Sequence, residues 1–170
     1  GDRITWQTWA ELDNEARHLA ARLIAAGIEP GDRVAQIGEN SPNWIIADLA
    51  IHLIRGVHVP IHESLSDEQV AHQVADGGAK VVLPADRAQQ FRVTGLQTLG
   101  DDPQDFSAVD QRSNESSPDD LATILYTSGT TGEPRGVMLS QRNLTQNAIA
   151  TTQHVGGNPD DVRLCFLPLS

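Results

Sequence analysis

The densest run of groups able to do chemistry is Tyr126-Thr127-Ser128-Gly129-Thr130-Thr131-Gly132-Glu133-Pro134-Arg135-Gly136. It holds three glycines, Gly129, Gly132 and Gly136, and four small hydroxyl residues, Thr127, Ser128, Thr130 and Thr131. Glycine lets a backbone turn tightly and bring its N–H groups close to a ligand. Successive N–H groups in such a turn make a concavity for anions. The hydroxyls add donors. Arg135 adds a permanent positive charge with a planar fork suited to phosphate oxygens. The chemistry these residues could perform is polyphosphate binding. The same residue types also build ordinary surface hairpins.

The elements on either side decide how such a loop is held. Leu121 to Leu125 reads as a short apolar strand and Val137 to Leu139 as another. A Walker A loop would need Gly-Lys-Ser/Thr opening a helix, and a dinucleotide fingerprint would need G-x-G-x-x-G. The chain has neither.

Upstream, periodicity predicts alternating strands and helices. A first strand is expected over Ile4 to Trp6. A helix capped by Thr8 should bury Trp9, Leu12, Ala16, Leu19, Ala20 and Leu23, and stop at Gly27. Strands are expected at Arg33 to Ile37, Val57 to Ile61 and Lys80 to Leu83. Ser41-Pro42 opens a helix from Asn43 to Arg55, apolar around most of its circumference and so deeply buried. Ser66 and Gln69 form a capping box for a helix to Asp76. This order predicts an α/β fold, a mostly parallel sheet with helices on both faces. From about 88 to 120 the period fades, and a variable insertion and connector is expected there, with one helix near Ala85 to Arg92. Ser140 should cap a helix to about Gln153, and Arg163 to Leu167 should be a last strand.

Other candidates carry less. His52, His58 and His62 straddle a helix end, a glycine and a strand, so they read as scattered structural histidines and no metal site is assigned. Ser128 and His154 lack the Gly-x-Ser-x-Gly elbow of a nucleophile. Cys165 is the only cysteine and lies in an apolar run, which excludes a disulfide framework and makes a reducing cytoplasm the default. The formal charge of −11 argues against nucleic acid and anionic membrane as partners. Much of the excess falls between Asp101 and Asp120, which reads as a solvated linker. No apolar run is long enough for a transmembrane helix.

The order Tyr-Thr-Ser-Gly-Thr-Thr-Gly-x-Pro-Arg-Gly-Val resembles the signature loop of the adenylate-forming (AMP-binding) superfamily, which includes acyl-CoA synthetases, luciferase and peptide-synthetase adenylation domains. Gly31-Asp32-Arg33-Val34-Ala35 and Glu39-Asn40-Ser41-Pro42-Asn43-Trp44 look like its early part. Met138 to Leu144 and Asp161 to Ser170 look like the long-chain fatty acyl-CoA synthetase branch. The family usually has Lys at the position of Arg135.

The resemblance implies that residues 1–170 are part of a large N-terminal AMP-binding domain: 1–87 as β/α units, 88–120 as insertion and connector, 121–170 as the phosphate-loop unit. It implies Thr127, Ser128, Gly129, Thr130, Thr131, Gly132, Arg135 and Gly136 as contacts to ATP phosphates. The catalytic groups would lie beyond Ser170, so the isolated piece should be inactive and, cut at a sheet edge, open to self-association. The parent would join a fatty acid to coenzyme A through an acyl-adenylate, using ATP and Mg²⁺, and could associate peripherally with membrane. An amino-acid adenylation domain, a luciferase-like enzyme and a non-catalytic nucleotide-binding scaffold are the alternatives.

Overall fold

A computed structural model of the chain describes residues 6–84, 99, 101, 103–127, 134–156, 158 and 161. The elements follow as α1 (Trp9–Ala25), β1 (Arg33–Gly38), α2 (Pro42–Leu53), β2 (Val57–His62), α3 (Asp67–Asp76), β3 (Ala79–Leu83), α4 (Ser107–Asn114), β4 (Leu121–Thr127), β5 (Arg135–Ser140) and α5 (Gln141–Val155). The five strands form one sheet in the order β3-β1-β2-β4-β5. β1 pairs in parallel with β2 and β3, and β2 in parallel with β4. Only the β4–β5 pair is antiparallel among them. The expected α/β class, with helices on both faces, is what the chain adopts.

Side chains alternate across the strands and so divide the core in two. On one face Val34, Val81 and Leu83 meet α1, α2 and α4 through Ala16, Ala20, Leu23, Ile46, Ala50, Ile51 and Val109. On the other, Ala35, Ile37, Val59, Ile61 and Val82 meet Val70 and Val74 of α3, with Ile124 and Tyr126 beside them. Helix starts follow the local chemistry. The Thr8 hydroxyl accepts from Glu11 N at 3.2 Å while Glu11 accepts from Thr8 N at 2.7 Å. Ser66 and Gln69 repeat this reciprocal cap on α3, and Ser140 and Asn143 on α5. Gly27, at φ 84°, turns the chain out of α1.

Four expectations need correction. Trp9 is 81% exposed, because α1 meets its packing partners only from Leu12 onward. Trp6 is exposed and outside any strand, while the rest of the expected first strand lies outside the described residues. Helix α2 is not buried all round: Ile45 and Leu49 are exposed on the side away from the sheet. The acidic stretch is not simply linker. It contains α4, whose Val109 is fully buried and whose Phe106 neighbour packs edge-on to His18 at 4.9 Å. Asp110 binds Arg17 at 2.6 Å, and Arg112 donates to the Ile28 carbonyl and to Glu29. The helix proposed near Ala85 to Arg92 and the strand at Arg163 to Leu167 lie outside the described residues.

Candidate functional site

The loop-bearing unit is a hairpin. β4 and β5 run antiparallel in a register that sets Thr127 opposite Arg135 and Tyr126 opposite Gly136. Thr127 and Arg135 are both exposed. Directly opposed residues of an antiparallel pair hold their Cβ atoms about 4.5–5.5 Å apart. The pairing therefore delivers a hydroxyl and a guanidinium side by side at the mouth of the loop. Ser128, Gly129, Thr130, Thr131 and Gly132 lie outside the described residues.

Gly136 is demanded by packing. A Cβ there would stand 2.8 Å from Ile124 Cγ2 and 3.4 Å from Tyr126 Cζ. The clash is with the Ile124 methyl, while the Tyr126 ring rests on β5 at ordinary contact distance. The Tyr126 hydroxyl donates to Asp76 Oδ2 at 2.6 Å, reaching the last residue of α3. Burial and then the Asp76 carboxylate push the phenol well above its usual range, so it remains a neutral donor.

The other end of the hairpin is latched. Arg55, held at φ 60°, donates to both oxygens of Asp120 at 2.9 and 3.2 Å. Its carbonyl accepts from Gly31 N at 2.8 Å. Arg55, then the Ser117 N–H, holds the Asp120 carboxyl below the ordinary range. The Gln141 and Arg142 amides donate to the Asp120 and Pro118 carbonyls, tying the start of α5 to the segment just before β4. Thr123 adds a hydroxyl bond to the His58 carbonyl of β2 at 2.9 Å.

The histidines are less scattered than their spacing implied. His52 and His58 both reach Asp48 Oδ1, at 3.3 and 2.8 Å. Burial alone would raise that carboxyl, but these two partners outweigh it and hold it well below the usual carboxylate range. Gln141 of α5 bonds His52 Nδ1 at 3.0 Å, so the cluster ties α2, β2 and α5 together. His62 stands apart, against Ser64. Among the described residues no group of three His, Cys, Asp or Glu could hold a metal ion.

A second concavity, about 770 Å³, opens outside the carboxyl ends of β1 and β3. Its walls include Gln36, Trp44, Asn40 and Glu39. The chain crosses from β1 to β2 on one side and returns to β3 on the other, so strand order reverses here. Open α/β sheets bind ligands at such switch points. Since β1 and β4 run the same way, this crevice and the hairpin mouth share one edge of the sheet. Nothing in the residue types singled the crevice out, because it is a product of topology.

The family model of the AMP-binding enzyme matches residues 2–170. The chain belongs to the AMP-binding enzyme family. Relatives among AMP-binding enzymes include feruloyl-CoA synthase from Amycolatopsis sp, 33% identical over 95% of this chain and 34% of that protein. Coprinoferrin synthetase from Coprinopsis cinerea is 36% identical over 84% of this chain and 6% of that protein. Among solved structures, apo MatB from Rhodopseudomonas palustris superposes with a TM-score of 0.77 at 31% identity, covering 99% of this chain and 36% of the other. The chain thus spans about a third of the length of feruloyl-CoA synthase and of MatB. No helix among the described residues is long and apolar enough to cross a membrane.

Proposed function

We propose that the protein carrying this chain activates a carboxylic acid with ATP and passes the acyl group to the thiol of coenzyme A. The carboxylate attacks the α-phosphate, the bond to the β-phosphate breaks, and pyrophosphate leaves with the acyl-adenylate behind. The thiol then displaces AMP. Within this chain the residues 127–136 grip the β- and γ-phosphates that become the leaving group. Thr127, Ser128, Thr130 and Thr131 donate hydroxyls, Gly129, Gly132 and Gly136 allow close backbone approach, and Arg135 offsets the charge that develops on pyrophosphate.

The observation that carries this reading is the register of the hairpin, Thr127 opposite Arg135 with both exposed at the loop mouth. A hydroxyl beside a guanidinium suits phosphate oxygens and not a divalent metal. Mg²⁺ would supply further charge neutralisation on the phosphates, and no residue here is assigned to it. The finer reading, a long-chain fatty acid as the substrate, rests on the resemblance over Met138 to Leu144 and Asp161 to Ser170.

A second reading is amino-acid adenylation. It draws on the match to coprinoferrin synthetase, of which this chain covers only 6% against 34% of feruloyl-CoA synthase. The same domain therefore also occurs inside far longer proteins. The test is ATP–pyrophosphate exchange by the full-length protein against a panel of fatty, aromatic and amino acids. Exchange driven by a long-chain acid supports the fatty-acid reading, and exchange driven only by an amino acid replaces it. Arg135→Ala should lower exchange by about 10-fold or more, the loss of a charge-assisted hydrogen bond. No exchange with any acid, in a folded protein, would defeat the enzyme reading.

A further inference from the structure

We propose that Tyr126 is a positioning residue for the phosphate loop: its hydroxyl, anchored on Asp76, fixes where β4 delivers Thr127 and where β5 receives Arg135. This rests on the phosphate-binding reading given above and adds to it a residue that touches no ligand.

Tyr126 is in contact with its surroundings on two sides. On β5 the ring lies against Gly136, with Cζ 3.4 Å and Cε1 3.6 Å from where a Cβ would stand, ordinary contact distances. At the end of α3, a Cβ on Gly77 would stand 3.4 Å from the Tyr126 hydroxyl and 2.9 Å from the Gln73 carbonyl. Glycines therefore bound the tyrosine at its ring and at its hydroxyl. Its hydroxyl meets Asp76 Oδ2 at 2.6 Å. The α3 terminus is itself pinned to the sheet, since Arg33 Nε of β1 donates to the Gly77 carbonyl at 3.0 Å. A continuous series of contacts thus runs from β1 through the end of α3 and Asp76 to Tyr126, and Thr127 is the next residue.

A ring that merely filled the core would not need its hydroxyl. Here the phenol is half-buried, and burial with the Asp76 charge keeps it protonated, as a donor to a carboxylate must be. Such a charge-assisted bond is short and directional. Tyr126 and Gly136 are the last cross-strand pair before Thr127 and Arg135. Rotation or slip of the strand end therefore passes directly to the two groups at the loop mouth. Misplacement of binding groups by a fraction of an ångström to an ångström is enough to lower turnover strongly.

The test uses the full-length protein and steady-state ATP–pyrophosphate exchange, with KM measured separately for ATP and for the acid. Tyr126→Phe and Asp76→Ala should each raise KM for ATP by about 10-fold, with KM for the acid unchanged. The double variant should be no worse than either single one, because both remove the same bond. Asp76→Asn, which keeps an acceptor oxygen but not the charge, should fall between wild type and Asp76→Ala. Thermal melts of each variant exclude global unfolding, and Asp76→Asn supplies a folded reference should Asp76→Ala not fold. Unchanged KM for ATP in Tyr126→Phe overturns the proposal, as do additive effects or equal rises in both KM values. Wild-type protein that neither exchanges pyrophosphate nor binds ATP would sink the phosphate-binding reading itself. Wild-type exchange with indifferent variants would sink only the role of Tyr126.

Discussion

Gly136 shows how a single missing methyl group shapes the hairpin. Its hypothetical Cβ meets a branched methyl of Ile124, which cannot swing away without moving the rest of that side chain. Gly136→Ala should therefore destabilise the fold by about 1–3 kcal/mol, the usual penalty of overpacking, read as a lower urea midpoint with an unchanged slope. Asp48 makes a different kind of prediction. Its folded pKa is depressed by His52 and His58, so its contribution to stability is present above the unfolded value of about 3.9 and is lost as pH falls below it. Urea midpoints of the wild type should fall from about pH 4 downward. Asp48→Asn, which has no charge to neutralise, should show a flatter acid limb, and an identical limb would refute the assignment.

At the scale of elements, what the sequence made legible was whatever depends on neighbours a few residues apart. Thr8, Ser66 with Gln69 and Ser41 with Pro42 each announced a helix start that the chain adopts. The apolar runs at Arg33, Val57 and Lys80 became strands within a residue or two. What stayed hidden depends on distant partners. Helix α4 has only Val109 and the adjoining Phe106 to pack, so its apolar period is too thin to see. Its anchors, Arg17 with Asp110 and Arg112 with Glu29, lie 93 and 83 positions apart. Likewise the meeting of His52 and His58 on Asp48 needs the turn from α2 into β2, which spacing alone does not give. In the candidate site, the residue types of the loop were legible, but the opposition of Thr127 and Arg135 required the register. The need for glycine at 136 required the Ile124 methyl that stands against it.

For the whole molecule, burial is uneven. β1 and β2 are flanked on both edges by other strands and covered on both faces. Among the described residues β5 is an edge strand, with Val137 and Met138 exposed, and α5 has no buried residue. Opening free energies follow local packing. Amide hydrogen exchange of the 170-residue chain should thus be slowest in β1 and β2 and fastest in β5 and α5. Uniform protection across the sheet would contradict this gradient. The contact between Trp44 and His58, 5.6 Å between ring centres, has an optical consequence. Trp6 and Trp9 stand 91% and 81% exposed, while Trp44 is 5% exposed. In the native chain two indoles therefore emit as though in water, and one emits from an apolar setting beside an imidazole. Unfolding leaves the first two nearly unchanged in colour, so the shift in emission on unfolding belongs almost entirely to Trp44. A spectrum of the 170-residue chain then reads a single junction, the one between α2 and β2.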